Sequence, residues 1–365
     1  MRNIVSILTC VLLLCACGSR TTGSGPQGDT LVLGHSDLLT LVERGVETSV
    51  SVRDPWHQGR TLQRLTVGPS AGKEVMRPLH RVVVFTTAHC QLLEYLGLAD
   101  RIVGVCDVQY MHIPDIQRRV KAGRIANCGD AMNPDVEKIV SLRPDAIILS
   151  PFEGASYGRL EKLGIPLIFA ADYMETSALG RAEWMRYYGR LFGQARRADS
   201  LYHVVDSTYG ALKAYANRLP QGRSILTERM TGSVWYVPGG KSSTGAIFAD
   251  AKSPYAFAAD GHSGSLPLPF EQVLSQAGQA DVWAFLINGQ RMMTRADLLR
   301  EFHGYKALKA FQKGEIYECD AAATRYFEEV SFRPDYLLRE MIILSHPQAR
   351  LGQLRYYKKL TGNPS

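Results

Sequence analysis

Two glutamates occupy matching points in two similar stretches of the sequence. The first stretch, GDAMNPDVEKIVSLRPDAIILSPFE at 129–153, carries Glu137 early in a short amphipathic helix. Asn133 and Pro134 read as its N-cap and first turn, Val136, Ile139 and Val140 share one face, and Arg143-Pro144 stops it before a buried strand over 146–149. Glu137 is then an outward-pointing carboxylate. The second stretch, PLPFEQVLSQAGQADVWAFLI at 267–287, repeats the plan with Glu271, Val273 and Leu274, then Ala280-Asp281 and a buried strand over 282–287. An acid near a helix start is favoured by the backbone dipole, and that explains either one alone. The pairing of Glu137 and Asp145 with Glu271 and Asp281 points instead to two lobes built alike. A third candidate chemistry is nucleophilic: Gly154-Ala-Ser156-Tyr-Gly158 fits GxSxG after a strand. Ser156 lies several residues past the strand end, however, whereas a nucleophile elbow needs its serine on the turn itself.

The elements that must hold these residues alternate. Arg81–Phe85, Ile102–Val105, Ala146–Leu149 and Leu167–Ala170 read as apolar strands separated by helical patterns, so the sheet is parallel and covered on both faces. Ligands bind such sheets beyond the strands' carboxyl ends, which directs attention to 86–89, 106–110, 151–153 and 171–175. From 194 to 219 an uninterrupted apolar stripe (Ala198, Leu201, Val205, Leu212, Tyr215) predicts a rod of roughly 35 to 40 Å. At Arg223 the strand and helix alternation resumes. The expected fold class is α/β, with two Rossmann-like lobes (79–193 and 220–365) joined by one long helix at 194–219. Alternating patterns at 47–52 and 61–67 add a β-hairpin within a 38–78 extension.

The chain has 365 residues, 45% of them apolar, and a formal charge of +7 spread without a dense basic run. Length and composition suit two domains, and the dispersed charge gives no footprint for nucleic acid. Walker and dinucleotide glycine loops are absent from the sequence, which disfavours a nucleotide enzyme. Residues 1–16 read as an export signal, and Leu14-Cys15-Ala16-Cys17 resembles a bacterial lipobox with Cys17 as the acylated anchor; an ordinary signal cleaved nearby is the alternative. Residues 17–37, rich in Gly, Ser and Thr, read as a flexible tether. Cys90, Cys106, Cys128 and Cys319 lack zinc spacing, and either a Cys106–Cys128 bridge or four small buried thiols fits them.

Taken in order, VEKIVSLRPDAII, the long helix and FEQVL followed by ADVW resemble the class III periplasmic substrate-binding proteins of ABC importers for iron siderophores, haem and cobalamin. The resemblance covers about residues 80–345. Three further runs, ETSALGRAEW (175–184), WYVPGGKS (235–242) and RPDYLLREMIILSHP (333–347), resemble a lipoprotein branch annotated for iron-complex transport. The resemblance implies a monomeric, non-catalytic receptor without cofactor or resident metal, lipid-anchored in the periplasm, which hands a bulky metal chelate to a permease and its ATPase. It also implies that Glu137 and Glu271 dock onto basic pockets of the two permease halves through charge-assisted contacts.

A stiff rod between lobes restricts closure, so the ligand is expected in a shallow, partly preformed cleft with aromatic faces and a few basic or hydrogen-bonding groups. The N-lobe candidates are Thr86, His89, Tyr110, Phe152 and Tyr173. The C-lobe candidates are Arg229, Trp235, Tyr236, Lys241, His262, Arg325 and Tyr326, with Trp235 and Tyr236 favoured because Pro238-Gly239-Gly240 forces a loop after them. Arg181 and Trp184 fall on a helical pattern and read as structural. His89 or His262 is a possible direct ligand of a haem iron or corrinoid cobalt. The rival reading is a chelatase-like or hydrolytic enzyme on the same scaffold.

Overall fold

The computed structural model describes residues 29–69, 75–289 and 291–360; the signal segment 1–16, Cys17 and the tether up to residue 28 lie outside them. The first described unit is a five-stranded sheet, β1 (Asp29–Leu31), β2 (Leu39–Arg44), β3 (Glu47–Arg53), β4 (Thr61–Val67) and β5 (Val75–Met76), in that spatial order. All its pairs are antiparallel except β4 with β5. Leu39, Leu41, Val50, Val52 and Val67 turn inward and are buried, as the two-residue period predicts. The unit is wider than the expected hairpin. Strands of three and two residues carry no alternation to read, and they gain order only from the partner they pair with.

The part of the tether that the structure describes, 29–37, is pinned rather than loose. Glu183, 1% exposed, accepts the backbone N–H groups of Gly34, His35 and Ser36 at 3.0, 2.9 and 3.0 Å. Glu175, equally buried, accepts from Asp37 N–H at 2.9 Å, Ser36 Oγ at 2.5 Å and the Trp184 indole at 2.8 Å. Burial pushes the Glu175 carboxyl above its ordinary value, partly offset by those donors. Gly180 leaves room for this strap, since a Cβ there would lie 2.5 Å from the His35 carbonyl oxygen.

The N-lobe follows: β6 (Val82–Val84), α1 (Thr87–Tyr95), β7 (Ile102–Val105), α2 (Pro114–Lys121), β8 (Ala126–Asn127), the short pair β9 (Gly129–Asp130) and β10 (Asn133–Pro134), α3 (Val136–Ser141), β11 (Ala146–Leu149) and β12 (Leu167–Phe169). Its main sheet runs β12-β11-β6-β7-β8, all parallel. Helix α3 starts two residues later than expected. Asp135, not Asn133, caps it by accepting from Lys138 N–H at 2.9 Å, while Asn133-Pro134 is taken up in the β9–β10 pair. The open edge at β12 is covered by the extension. The Gln63 side-chain amide donates to Leu167 O at 2.6 Å and accepts from Phe169 N–H at 3.1 Å, standing in for a neighbouring strand.

Two helices then turn a tight corner: α4 (Ala178–Leu191) and α5 (Ala195–Asn217). At ~1.5 Å per residue α5 is about 35 Å long. The C-lobe contains β13 (Ile225–Thr227), β14 (Met230–Thr231), β15 (Val234–Pro238), α6 (Ser243–Asp250), β16 (Ser265–Leu268), α7 (Phe270–Ala277), β17 (Val282–Ile287), α8 (Arg295–Glu301), α9 (Lys309–Lys313), β18 (Ile316–Asp320), α10 (Ala321–Thr324), α11 (Tyr326–Glu329), α12 (Pro334–Ser345) and β19 (Lys358–Lys359). Its main sheet is β13-β17-β18-β19, parallel except at β19, beside a small antiparallel sheet β14-β15-β16. Helix α12 returns to pack on α4, α5 and α6.

The two lobes do repeat one plan in detail. Asp145, just before β11, accepts the N–H groups of His80 and Arg81 ahead of the neighbouring β6, at 2.7 and 2.8 Å. Asp281, just before β17, accepts Ser224 N–H ahead of the neighbouring β13, at 2.9 Å. Each aspartate thus ties the start of its own strand to the start of the strand beside it. The four cysteines among the described residues are free and buried, so Cys106 and Cys128 are packed thiols and not a bridge.

The strap at Glu183 can be tested. Glu183→Ala leaves three N–H groups without their acceptor and takes from Arg186 one of its two acid partners, and should lower unfolding free energy by about 2–4 kcal/mol. Urea denaturation checks the magnitude. Hydrogen exchange should show lost protection at Gly34 to Ser36 before any other backbone opens.

Candidate functional site

A cleft of about 820 Å³ lies between the lobes, with walls from both. From the N-lobe come Thr86 at the end of β6, Tyr173 after β12 and Arg181 on the first turn of α4. The C-lobe contributes Glu228 and Arg229 after β13, Tyr236 on β15, Ser243 and Thr244 at the start of α6, and Tyr326 with Phe327 on α11. Tyr236 and Phe327 are 46% and 52% exposed, aromatic surface presented to the opening. Tyr173 is oriented by donating its hydroxyl to Pro151 O at 2.5 Å.

The arginines on the two walls are held by acids behind them. Arg181 Nε donates to Asp172 Oδ2 at 3.0 Å, and His89 Nε2 lies 2.9 Å from Asp172 Oδ1. His89 Nδ1 in turn contacts Thr86 Oγ1, and the ring stacks on Tyr188 at 5.2 Å. Burial would raise the Asp172 carboxyl, but His89 and Arg181 outweigh it and hold the group below its ordinary value. A buried, satisfied chain therefore runs from the wall at Thr86 to the wall at Arg181. Across the cleft, Arg229 Nη1 donates to Glu301 at 2.5 Å, and its Nε has no partner among the described residues.

Glu228 differs from the other acids. Its backbone is left-handed (φ 62°), and burial pushes its carboxyl up to about 7 despite Arg229 and the Leu286 N–H, which act the other way. Between pH 4.5 and about 7 the native state keeps a proton that the unfolded chain has released, so this residue costs stability increasingly as pH rises through that window. Glu228→Gln should therefore raise stability at pH 8 by at most about 3 kcal/mol, with the gain shrinking as pH falls below about 7 and gone below pH 4.5. Paired thermal melts across pH 4 to 8 check both sign and range.

Of the residues singled out from sequence, Thr86, Tyr173, Arg229, Tyr236 and Tyr326 meet in this cleft. Phe152 lines a separate cavity in the N-lobe. His89 and Trp235, 2% and 0% exposed, are corrected to interior positions: His89 belongs to the aspartate chain, and Trp235 packs in an aromatic cluster with Phe270, Trp283 and Tyr305. Neither has surface for a ligand, because the loop at 238–240 turns after the strand and leaves Trp235 on its inner face. Tyr110, Lys241 and His262 are exposed and stand outside the cleft lining, His262 beside Asp260 at 3.0 Å. Arg325 pairs with Glu329 at 3.2 Å. Trp184 is structural as expected, whereas Arg181 is a cleft residue that its helical pattern concealed. Glu228 and Phe327 were also missed; position at a strand end was the available signal for Glu228.

Glu137 and Glu271 both sit in the first turn of a helix that leads into a parallel strand, α3 into β11 and α7 into β17. Each helix therefore starts at the carboxyl edge of its sheet. Glu137 is 86% exposed, with Arg159 3.7 Å away; Glu271 is exposed and has no ion-pair partner among the described residues. Ser156 is exposed as well, its Oγ accepting from Gly158 N–H at 3.4 Å.

Two α/β lobes with a cleft between them and an acid at each lobe edge define a solute receptor, and comparison with known proteins gives the family. Residues 82–323 match the model of the periplasmic binding protein family, and the chain belongs to it. It is a binding protein and not an enzyme. An uncharacterised lipoprotein of Methanocaldococcus jannaschii is 23% identical over 296 residues, 78% of this chain and 69% of the relative. The petrobactin-binding protein YclQ of Bacillus subtilis is 27% identical over 158 residues, 42% of this chain and 48% of the relative. Among solved structures, a periplasmic heme-binding protein from Pseudomonas aeruginosa superposes with a TM-score of 0.61 at 15% identity, covering 79% of this chain and all of that one.

Proposed function

We propose that this chain is the lipid-anchored, substrate-binding component of an ABC importer and that it carries an anionic iron complex, a ferric siderophore or haem. The observation that carries this reading is the cleft itself: Arg181 and Arg229 face it from opposite lobes, each backed by an acid, among tyrosine and phenylalanine faces. Cations fixed by neighbouring acids bind an anion without first losing side-chain freedom. Flat aromatic surface suits the apolar faces of a chelate or macrocycle. One relative is named for petrobactin and one solved neighbour for heme. Thr86, Tyr173, Tyr236 and Tyr326 would complete the contacts. Anchoring at Cys17 in the periplasm, a monomeric state and hand-over to a permease with its ATPase complete the proposal. Cobalamin, a bulky neutral complex, makes little use of two arginines and ranks below the iron complexes.

Titration of the protein without residues 1–17 against haem, a ferric tris-catecholate and cyanocobalamin, followed by absorbance, tests the ligand class. Failure to bind either iron complex would refute it. Replacing Arg181 and Arg229 together by Ala should weaken binding of the preferred anionic complex by at least roughly 100-fold, since each charge-assisted contact is worth about 1.5–3 kcal/mol. A second test separates docking from capture. Combined Glu137→Ala and Glu271→Ala should abolish uptake in cells while leaving the dissociation constant of the purified protein unchanged; undiminished uptake would remove both residues from the docking role.

A further inference from the structure

Strand order places a second binding position inside the N-lobe. From β6 the chain winds outward through β7 to β8, then returns across the sheet to add β11 and β12 on the other side of β6. The connections leaving β6 and β11 therefore run apart, and the gap between their carboxyl ends is the topological switch point, where open parallel sheets receive ligands. A cavity of about 440 Å³ lies there, formed by Phe85 and Thr86 after β6 and by Leu149, Ser150 and Phe152 at the end of β11. Val136, Tyr157 and Leu160 close it with apolar surface. Phe152 and Met132, 45% and 78% exposed, stand at its edge as uncovered hydrophobic groups. The one charged side chain in its lining is Arg159, turned toward Glu137 at 3.7 Å. Thr86 belongs to the wall of this cavity and to the wall of the interlobe cleft.

We infer that this crevice is an apolar annex of the cleft, which takes a hydrocarbon or aryl arm of the complex whose charged centre sits between Arg181 and Arg229. The inference rests on the iron-complex reading above. Volume and lining fit a small apolar ligand group, for which pockets of roughly 300–1,000 Å³ are usual. An apolar side chain of the permease is the competing occupant, and the topology argues against it. The C-lobe sheet is built outward in one direction, β13-β17-β18, so no equivalent switch point exists on that lobe among the described residues. A partner with two matching halves would find the acids in pairs but this crevice once.

The test uses two ferric tris-catecholate chelates that differ only by an octanoyl chain, titrated by quenching of intrinsic fluorescence. Wild-type protein should bind the octanoylated chelate at least tenfold more tightly than the bare one. Two variants fill the crevice from different segments, Ala131→Phe and Ser156→Trp, so that one remains informative if the other fails to fold. In a folded variant the tenfold preference should fall to near one while the affinity for the bare chelate stays the same. Equal affinity of wild type for both chelates overturns the annex, and with it any loss of permease-stimulated ATPase in the variants would assign the crevice to the permease. A preference that survives in every folded variant also overturns it, because the arm then lies elsewhere. Should neither chelate bind, the annex is judged with N-phenyl-1-naphthylamine, a neutral fluorophore, and the iron-complex reading falls only if haem also fails to bind. Enhancement in wild type that the variants abolish upholds an apolar site; no enhancement overturns it.

Discussion

The corner between α4 and α5 is the constraint on which the remaining geometry depends. Gly189 on α4 lies so close to α5 that a Cβ would stand 2.3 Å from the Ala198 Cβ, so the helices meet backbone to backbone. Arg190, 7% exposed, locks that contact with two hydrogen bonds to Asp199, at 2.6 and 2.9 Å, and extends to Glu43 on the extension sheet. Arg186 joins the same aspartate to Glu183, which holds the N-terminal strap. Burial works against the Arg190 charge, but Asp199 and Glu43 overcome it and keep the guanidinium more firmly protonated than usual. Removing one partner of such a group is costly because the other is left charged in a dry site. The corner thus fixes three things together: the direction of the long helix, the seat of the extension, and the first turn of α4 from which Arg181 reaches the cleft.

Preorganisation of charge is the second theme. Each cleft arginine has its own acid, Asp172 for Arg181 and Glu301 for Arg229, so neither must be recruited when a ligand arrives. Glu228 is the exception. It faces the same space on a left-handed backbone without an acid–base partner of comparable closeness, and burial keeps it near neutrality. A cleft with two fixed cations and one carboxyl that resists ionisation is more positive than its residue list suggests. That bias favours anions.

The extension explains how an otherwise exposed sheet edge is managed. β12 would offer unpaired peptide groups to any passing strand, and the Gln63 amide satisfies two of them with a side chain in place of a backbone. The strap at 34–38 then returns to Glu175 and Glu183, so the extension is held at two separate places on the N-lobe.

The sequence by itself determined the periodic parts. Strands at 102–105 and 146–149 and the long helix were legible because burial imposes a repeat on every residue of a regular element. The duplicated Glu-to-Asp spacing was legible for the same reason, since both lobes solve one local problem and Asp145 and Asp281 do one job. Aromatic type at a strand end was a weaker guide. It pointed to Tyr173, Tyr236 and Tyr326, which line the cleft, and misled at Trp235, because a residue's side of its strand depends on which sheet that strand joins. Only the tertiary structure decided that His89 belongs to Asp172, that Arg181 faces the cleft, that residues 34–38 are bound, and that a crevice opens between β6 and β11. Each of these joins segments far apart in the chain, and such a contact leaves no period for a single sequence to show.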